Sequence, residues 1–348
     1  MTCLARRVTV RVVRVVAAVD KFRGTASARD VAAAIGQACW SRSIDCDEIA
    51  LADGGEGLLD ALGGANRTTT VTGPLGSPVD APWRLHRGTA IIEMALASGL
   101  VVAGYAEGND PVAATTAGTG ELIDHAVSAG AKRIIVGLGG SATTDGGLGA
   151  IQALSSPHRL GGVQLFIACD VTTRFTDAAA VFGPQKGATP VQVKLLTNRL
   201  EQLVQQYRSD YGVDVSAMIG AGAAGGLAGG LAALGGKIVG GFELVADELN
   251  LADVIAGADL VITGEGHLDR QSFEGKVVGG VVGLAAEFNV PAAAIVGIVD
   301  DAVRNRLPTY VTADLFGADR SVNEPLWCIE HAALDVLDDL LPPVGSRV

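Results

Sequence analysis

Short apolar runs, separated by glycines and small polar residues, predict a chain of alternating strands and helices. The run at 134–138 is apolar on both faces, which is typical of a strand buried inside a parallel or mixed sheet. Other strands are predicted at residues 12–19, 48–52, 163–168, 259–263 and 292–296, with a weaker one at 314–317. Helices are predicted at residues 27–41, 115–129, 191–210 and 325–341. The first helix begins with a cap at Ser27 and carries Asp30 at its third position.

The pattern changes between residues 67 and 95, where Thr- and Val-rich segments alternate with turn pairs such as Gly73-Pro74. This texture is typical of antiparallel strands. Because 348 residues exceed the size at which a single core keeps growing, two domains are expected. The change in pattern predicts that the second domain begins near Arg67.

Composition and charge exclude several classes of protein. Hydrophobic residues form 49% of the chain and aromatic residues 4%, with 47 glycines, which indicates α/β architecture packed by small aliphatic side chains. A net charge of -12 disfavours nucleic acid and anionic membranes as partners. No apolar segment reaches membrane-spanning length, and Arg6, Arg7, Arg11 and Arg14 interrupt any signal-peptide core, so a cytoplasmic protein is expected.

Cysteines and histidines show no metal-binding spacing. The five cysteines form no CxxC pair, and the five histidines are widely scattered, so a zinc site is disfavoured. Cysteines without a pairing pattern also fit a reducing cytosol.

The segment 132–154 contains the strongest candidate for a ligand site. After the predicted strand, Gly139 and Gly140 free the backbone, and Ser141, Thr143 and Asp145 precede a helix. Exposed N–H groups before a helix N-terminus favour phosphate as the ligand. Asp145 would then accept a proton from a substrate hydroxyl or hold a Mg2+ ion beside the phosphate. The alternative is a Gly-rich turn with a Ser or Thr cap.

Charged residues of both signs follow several other predicted strands. With the loop above, the polar candidates are Asp20, Lys21, Arg23, Asp53, Glu56, Ser141, Asp145, Asp170, Lys186, Glu265, Asp269 and Lys276. Because ligands of open α/β sheets bind beyond the carboxyl ends of strands, these loops are expected to meet in one cleft. Carboxylates mixed with cations suit phosphoryl transfer with Mg2+, although no P-loop or protein-kinase signature is present.

A second glycine motif, residues 220–225, matches the G-x-G-x-x-G pattern, and Glu243 follows about twenty residues later. A dinucleotide fold is therefore an alternative. The motif lies mid-chain and continues into further glycines, however, so close packing of small residues explains it better.

Eight longer motifs indicate a family. They lie at residues 53–57, 71–76, 92–100, 118–122, 139–147, 180–190, 220–227 and 263–266. In content and order they resemble the bacterial glycerate kinases of type 1, which use ATP to phosphorylate D-glycerate. The resemblance implies an α/β fold of two domains: a flavodoxin-like, Rossmann-like domain formed by both chain ends, and an inserted mixed α/β domain of restriction-endonuclease-like topology. We assign residues 1–66 plus 250–348 to the first and 67–249 to the second.

The resemblance also implies ATP and Mg2+ as cofactors, D-glycerate as substrate and 2-phosphoglycerate as product. Asp145, Asp53 and Asp170 are the candidates for base or metal ligand, with Asp145 and Asp170 as the metal pair. Lys186 is placed in the catalytic group with them. Phosphate and substrate contacts are assigned to Asp20, Lys21, Arg23, Glu56, Gly139, Gly140, Ser141, Thr143, Glu265, Asp269 and Lys276. A monomer or homodimer is expected.

The chain departs from the family pattern at several positions. Arg23, Thr144 and His267 replace the usual Lys, Asn and Arg, and the segments 154–163 and 172–179 are short. Two further hypotheses follow: a homologue with weak or no turnover that acts as a binding or regulatory module, and a kinase for another small hydroxy acid.

Overall fold

The structure, a computed structural model, describes residues 13–341. Residue 12 of the first predicted strand lies outside this range, as do Arg6, Arg7 and Arg11, on which the argument against a signal peptide rests.

The described residues form eleven strands and fifteen α-helices. The strands are Arg14–Val19 (β1), Asp45–Ala50 (β2), Arg67–Thr72 (β3), Pro78–His86 (β4), Thr89–Glu93 (β5), Arg133–Gly137 (β6), Gln164–Ala168 (β7), Lys237–Val239 (β8), Leu260–Leu268 (β9), Ala292–Val299 (β10) and Thr309–Val311 (β11). The helices are Ala28–Ser41 (α1), Leu58–Ala61 (α2), Ala95–Ser98 (α3), Tyr105–Gly108 (α4), Ala117–Ser128 (α5), Leu148–Ala153 (α6), Ala178–Phe182 (α7), Pro190–Tyr211 (α8), Leu227–Ala233 (α9), Gly241–Glu248 (α10), Leu251–Ala256 (α11), Val277–Glu287 (α12), Thr312–Phe316 (α13), Ala318–Asn323 (α14) and Pro325–Leu340 (α15).

The chain divides into two compact units. Of the described residues, 13–50 and 250–341 form the terminal unit, and residues 51–249 form the central unit. This division comes earlier in the chain than the boundary predicted at Arg67. The segment before β3 belongs to the central unit because α2 packs on β5, where Glu93 accepts a hydrogen bond from the Leu59 N–H at 2.6 Å.

The terminal unit is built on a parallel sheet with strand order β11-β10-β9-β1-β2. In β10, Ala293 and Ile295 pack with α1 and α15, while Ala294 and Val296 pack on the other face with α12. Burial on both faces explains why these strands read as continuous apolar runs. As predicted, Ser27 caps α1 by accepting from the Asp30 N–H.

The weak strand predicted at 314–317 is wrong. These residues lie in α13 and the turn after it, and the strand is Thr309–Val311. Leu315 and Phe316 are the only large apolar residues of this segment, and two such residues have too little periodicity to separate a strand from one helical turn. Phe316 packs edge-on against Trp327 of α15, with ring centroids 5.3 Å apart.

The central unit contains a mixed sheet with strand order β3-β4-β5-β6-β7-β8. The pairs β3-β4 and β4-β5 are antiparallel, as the Thr- and Val-rich pattern predicts, and the remaining neighbours are parallel. Within residues 13–341, every helix is too short or too polar to cross a bilayer.

Candidate active site

The carboxyl ends of four parallel strands align along one edge of the central sheet. β5, β6, β7 and β8 end in register at Glu93, Gly137, Ala168 and Val239. The loop between β6 and α6 and the residues after β7 therefore start side by side, as expected for a ligand site of a parallel sheet.

The Asp53–Gly57 loop lies against this edge, and glycines permit the approach. A Cβ on Gly139 would lie 2.9 Å from the Cα of Gly55. A Cβ on Gly241, at the start of α10, would lie 2.1 Å from the carbonyl oxygen of Asp53. Larger residues at these positions would force the backbone segments apart, so the glycines bring the acidic loop to the strand ends.

Backbone N–H groups at the tip of the β6-α6 loop have no acceptor in the described part of the chain. They belong to Gly139, Gly140 and Ser141. The other side of the loop is anchored, since the Leu100 N–H donates to the Gly140 carbonyl at 2.7 Å. Gly140 has a φ of 62°, a left-handed conformation that glycine adopts without strain. We call these three residues the amide loop, and its geometry suits an anion.

Asp145 is buried, and both of its carboxylate oxygens accept hydrogen bonds from neighbouring backbone. Oδ2 accepts from the Thr116 N–H and hydroxyl, each at 2.8 Å, and from the Gly149 N–H at 3.2 Å. Oδ1 accepts from the Gly147 N–H at 3.1 Å. The Thr116 hydroxyl in turn accepts from the Ala150 N–H at 3.0 Å. Asp145 thus ties the start of α6 to the start of α5, and these bonds fix the orientation of its carboxylate.

Lys186 is only 2% exposed, yet no carboxylate in the described residues forms an ion pair with it. Its Nζ donates to Ser141 Oγ at 2.7 Å and to the Thr143 carbonyl at 2.6 Å. Burial lowers the pKa of Lys186 to about 7, and the charge of Asp145 acts in the opposite direction. The ammonium therefore lies directly behind the amide loop.

Further buried polar atoms near this loop lack partners in the described residues. They are the hydroxyls of Thr143 and Thr144 and the amide oxygen of Asn109. Asn109 belongs to the same region because its amide nitrogen donates to the carbonyls of Ala142 and Lys186. Buried polar groups normally find partners, so their concentration around one loop indicates a functional region.

Asp170, directly after β7, differs from Asp145 in its bonding. Its Oδ1 accepts from the Gly241 N–H at 2.6 Å, but its buried Oδ2 has no partner in the described residues. Burial raises the pKa of Asp170 to about 7, with further contributions from the charges of Asp53 and Glu243. A carboxylate with one fixed and one unbonded oxygen and a pKa near neutrality has the properties of a general base.

Two other carboxylates of the central unit have different surroundings. Glu56, a predicted contact, is exposed on the acidic loop. Glu93 was not singled out from the sequence; its Oε1 accepts from the Gly57 and Leu59 N–H groups at 3.2 and 2.6 Å and so caps α2. Its place in the family motif at residues 92–100 was the signal that could have found it.

The terminal unit holds the remaining predicted residues at the ends of β1 and β9. The Asp20 N–H donates to the Gly264 carbonyl at 2.9 Å, and Asp20 Oδ1 accepts from the Lys21 N–H at 2.7 Å. A Cβ on Gly266 would lie 3.1 Å from the backbone nitrogen of Arg23, so the loop after β1 passes close to β9.

Glu265 on β9 is the most perturbed group of this cluster. Burial raises its pKa to about 7; Asp20 and Asp269 also raise it, while Ser272 and Lys276 lower it. Its Oε1 has no partner within residues 13–341. Asp269 Oδ1 accepts from the Ser272 N–H at 3.0 Å, so Asp269 serves mainly a local turn.

Among the described residues, no group of three or more His, Cys, Asp or Glu side chains is arranged to hold a metal ion. Glu243, which the sequence singled out only for a dinucleotide fold, instead lies near Asp170.

The G-x-G-x-x-G segment at 220–225 does not directly follow a strand of the described chain, and Ala223–Gly226 forms a 3-10 turn. A Cβ on Gly225 would lie 1.9 Å from the Thr143 carbonyl oxygen, which supports the packing interpretation.

Comparison with known proteins identifies relatives along most of the chain. The sequence profile of the Glycerate kinase family matches residues 15–158 and 155–333. The glycerate 2-kinase of Escherichia coli K12 is 39% identical, covering 83% of this chain and 86% of the relative. The glycerate kinase of Bacillus subtilis 168 is 38% identical, covering 82% and 85%.

The fold is also similar to that of a solved relative. A crystal structure of a candidate glycerate kinase 2 from Salmonella typhimurium LT2 matches with a TM-score of 0.79 and 36% identity, covering 94% of this chain and 98% of the other. Sequence and fold agree along nearly the whole chain, and this protein therefore belongs to the glycerate kinase family.

Proposed function

We propose that the protein phosphorylates D-glycerate with ATP and releases 2-phosphoglycerate. The observation that carries the proposal is the amide loop, whose three N–H groups lack acceptors in residues 13–341 and lie in front of the buried Lys186 ammonium. Donors fixed in advance stabilise charge on a transferring phosphoryl group without having to reorganise. The family relationship supports glycerate as the acceptor.

In this proposal Asp170 accepts the proton of the attacking hydroxyl. Its Oδ1 is held by the Gly241 N–H, which leaves the unbonded Oδ2 for the substrate. A pKa raised to about 7 matches a base that works near neutral pH. Asp145 positions the loop and α6 instead.

The carboxylates beside Asp170 suit Mg2+, which takes one or two carboxylates together with substrate phosphates. Asp53 and Glu243 are the residues that would hold the ion, because their charges lie close to Asp170. Bound Mg2+ would neutralise charge on the phosphate oxygens.

Lys21, Arg23 and Lys276 of the terminal unit remain the proposed cationic contacts for carboxylate or phosphate.

We also propose that the terminal unit is flavodoxin-like, since its sheet, read from β2 to β11, has the order 2-1-3-4-5 in chain sequence. A restriction-endonuclease-like topology is proposed for the central unit from the family resemblance. A cytoplasmic location is supported by Cys39, Cys46, Cys169 and Cys328, which are all free thiols.

The 2-phospho product is proposed because attack by the C2 hydroxyl places the nucleophile beside the carboxylate, so that one cationic region serves both groups. The test incubates the purified protein with D-glycerate, ATP and Mg2+ and follows the product by phosphorus NMR. We expect 2-phosphoglycerate. Formation of 3-phosphoglycerate alone would overturn the regiochemistry, and no turnover with D-glycerate or other small hydroxy acids would favour a binding or regulatory role.

A further inference from the structure

The Lys186 ammonium fixes the direction of the hydrogen bond at Ser141. When Lys186 carries its proton, the ammonium can only donate, so Ser141 Oγ then accepts at their separation of 2.7 Å. The hydroxyl hydrogen of Ser141 is then available for another acceptor. None of the described residues provides one.

The backbone donors of the amide loop are in the same position as the Ser141 hydroxyl hydrogen. The N–H groups of Gly139, Gly140 and Ser141 also lack acceptors within residues 13–341. Adding the hydroxyl gives four donors on three consecutive residues. A phosphoryl group, with three outer oxygens that each accept several hydrogen bonds, fits this set better than a planar carboxylate.

Lys186 itself is poorly placed to touch such a ligand. It is 2% exposed, and two of its three N–H bonds point to Ser141 Oγ and the Thr143 carbonyl. Both acceptors belong to the loop that carries the free donors. The ammonium therefore acts on the loop from behind.

We propose that Lys186 is a positioning residue that makes the Ser141 hydroxyl a fixed donor to a phosphoryl oxygen of the nucleotide, without contacting the phosphate itself. This inference rests on the proposed function and names how its anion site is organised. It also predicts an unusual stability pattern. A buried cation without a carboxylate partner is costly, so an apolar side chain of similar length should leave the fold intact while it impairs binding.

The experiment measures ATP and pyrophosphate binding by calorimetry, together with the thermal unfolding midpoint. The variants are S141A, K186M and the S141A/K186M double mutant, with K194M, a change of an exposed lysine on α8, as the matched control. We expect S141A and K186M each to weaken ATP binding about 10- to 100-fold, the effect of losing a hydrogen bond to a charged ligand. The Kd of the double mutant for ATP should exceed that of the weaker-binding single mutant by no more than about twofold, because the two residues act through the same hydrogen bond. K194M should bind normally.

Rescue separates an effect through this hydrogen bond from a general packing defect. S141T keeps the hydroxyl and should restore most of the affinity lost in S141A, and K186M should unfold at or above the midpoint of the wild type. Multiplicative losses in the double mutant would show that Lys186 contacts the ligand itself and would overturn the proposal. Normal binding by S141A would do the same. Failure of K186M to fold would contradict the predicted stability pattern and would overturn the proposal as well.

The outcome for the proposed function is read separately. Wild-type protein that binds pyrophosphate but does not phosphorylate glycerate would contradict the proposed function. The variants would still test, by pyrophosphate binding, whether Lys186 acts through the Ser141 hydroxyl. Wild-type protein that binds neither ATP nor pyrophosphate would overturn both.

Discussion

Asp145 and Asp170 look equivalent in the sequence, but the structure gives them opposite surroundings. Each follows a buried strand of the same mixed sheet, β6 or β7, which pair in parallel. Both oxygens of Asp145 accept hydrogen bonds, from Thr116, Gly147 and Gly149. Asp170 has one oxygen held by Gly241 and one buried oxygen without a partner in the described residues.

This difference separates a carboxylate that holds the site together from one that can take part in chemistry. Several N–H donors fix the carboxylate of Asp145 in one orientation. A desolvated carboxylate beside other acids gains a proton readily, and the raised pKa of Asp170 has this cause. Substitutions that keep the shape and remove the charge test the distinction.

The largest effect is expected for Asp170→Asn. Asparagine keeps an oxygen for the Gly241 N–H but cannot accept the substrate proton, so kcat should fall by about 100-fold or more. The measurement is a coupled ADP-release assay with D-glycerate. Asp210→Asn, at the exposed end of α8, is the matched control and should retain wild-type kcat. A kcat within threefold of wild type for Asp170→Asn would remove this residue from the chemistry.

Asp145→Asn should act on stability first. Its amide group would face the Gly147 or Gly149 N–H with a donor in place of an acceptor, so the free energy of unfolding should fall by about 2–4 kcal/mol. Urea denaturation measures this, again against Asp210→Asn. If the free energy of unfolding is unchanged while turnover is lost, Asp145 takes part in the reaction, and the proposed difference between Asp145 and Asp170 is wrong.

The pH dependence of stability provides a third test. The folded-state pKa of Asp170, about 7, lies above its ordinary value of 3.8, so the folded protein binds this proton more tightly than the unfolded chain. The contribution of Asp170 to stability is therefore fully present below pH 3.8 and is lost as pH rises through 7. We expect Asp170→Asn to match the wild-type melting temperature near pH 4 and to exceed it by pH 8. A difference that does not change with pH would contradict the raised pKa.

Glu265→Gln should give the smallest effect and extends the comparison to the terminal unit. Burial raises the pKa of Glu265 to about 7, but Ser272 and Lys276 partly compensate. By the same sign argument, Glu265→Gln should melt at a higher temperature than the wild type at pH 8 and at the same temperature at pH 4. The increase at pH 8 should be smaller than for Asp170→Asn. Differential scanning calorimetry of both variants at the two pH values measures the order. A larger gain for Glu265→Gln would show that burial alone governs the two sites.

The sequence by itself determined the alternation of strands and helices, because continuous apolar runs and caps are local signals. β1, β6, β7 and β10, α1 and α8, and the antiparallel β3-β4-β5 segment all lie where the pattern predicts them. The sequence also identified the glycine loop after β6 as a candidate anion site. Runs of three or four residues were ambiguous, which is why the strand at Thr309–Val311 was misplaced.

Only the tertiary structure decided which polar residues are already satisfied. Asp145 bonds to Thr116, 29 residues earlier, and Lys186 bonds to Ser141, 45 residues earlier. Asp170 accepts from Gly241, 71 residues later, while its second oxygen has no partner within residues 13–341. A residue's neighbours in the chain do not report such partners, because they are set by strand register and by glycines that let distant backbone segments approach. The roles of these carboxylates and of the buried lysine therefore depend on contacts that no local pattern contains.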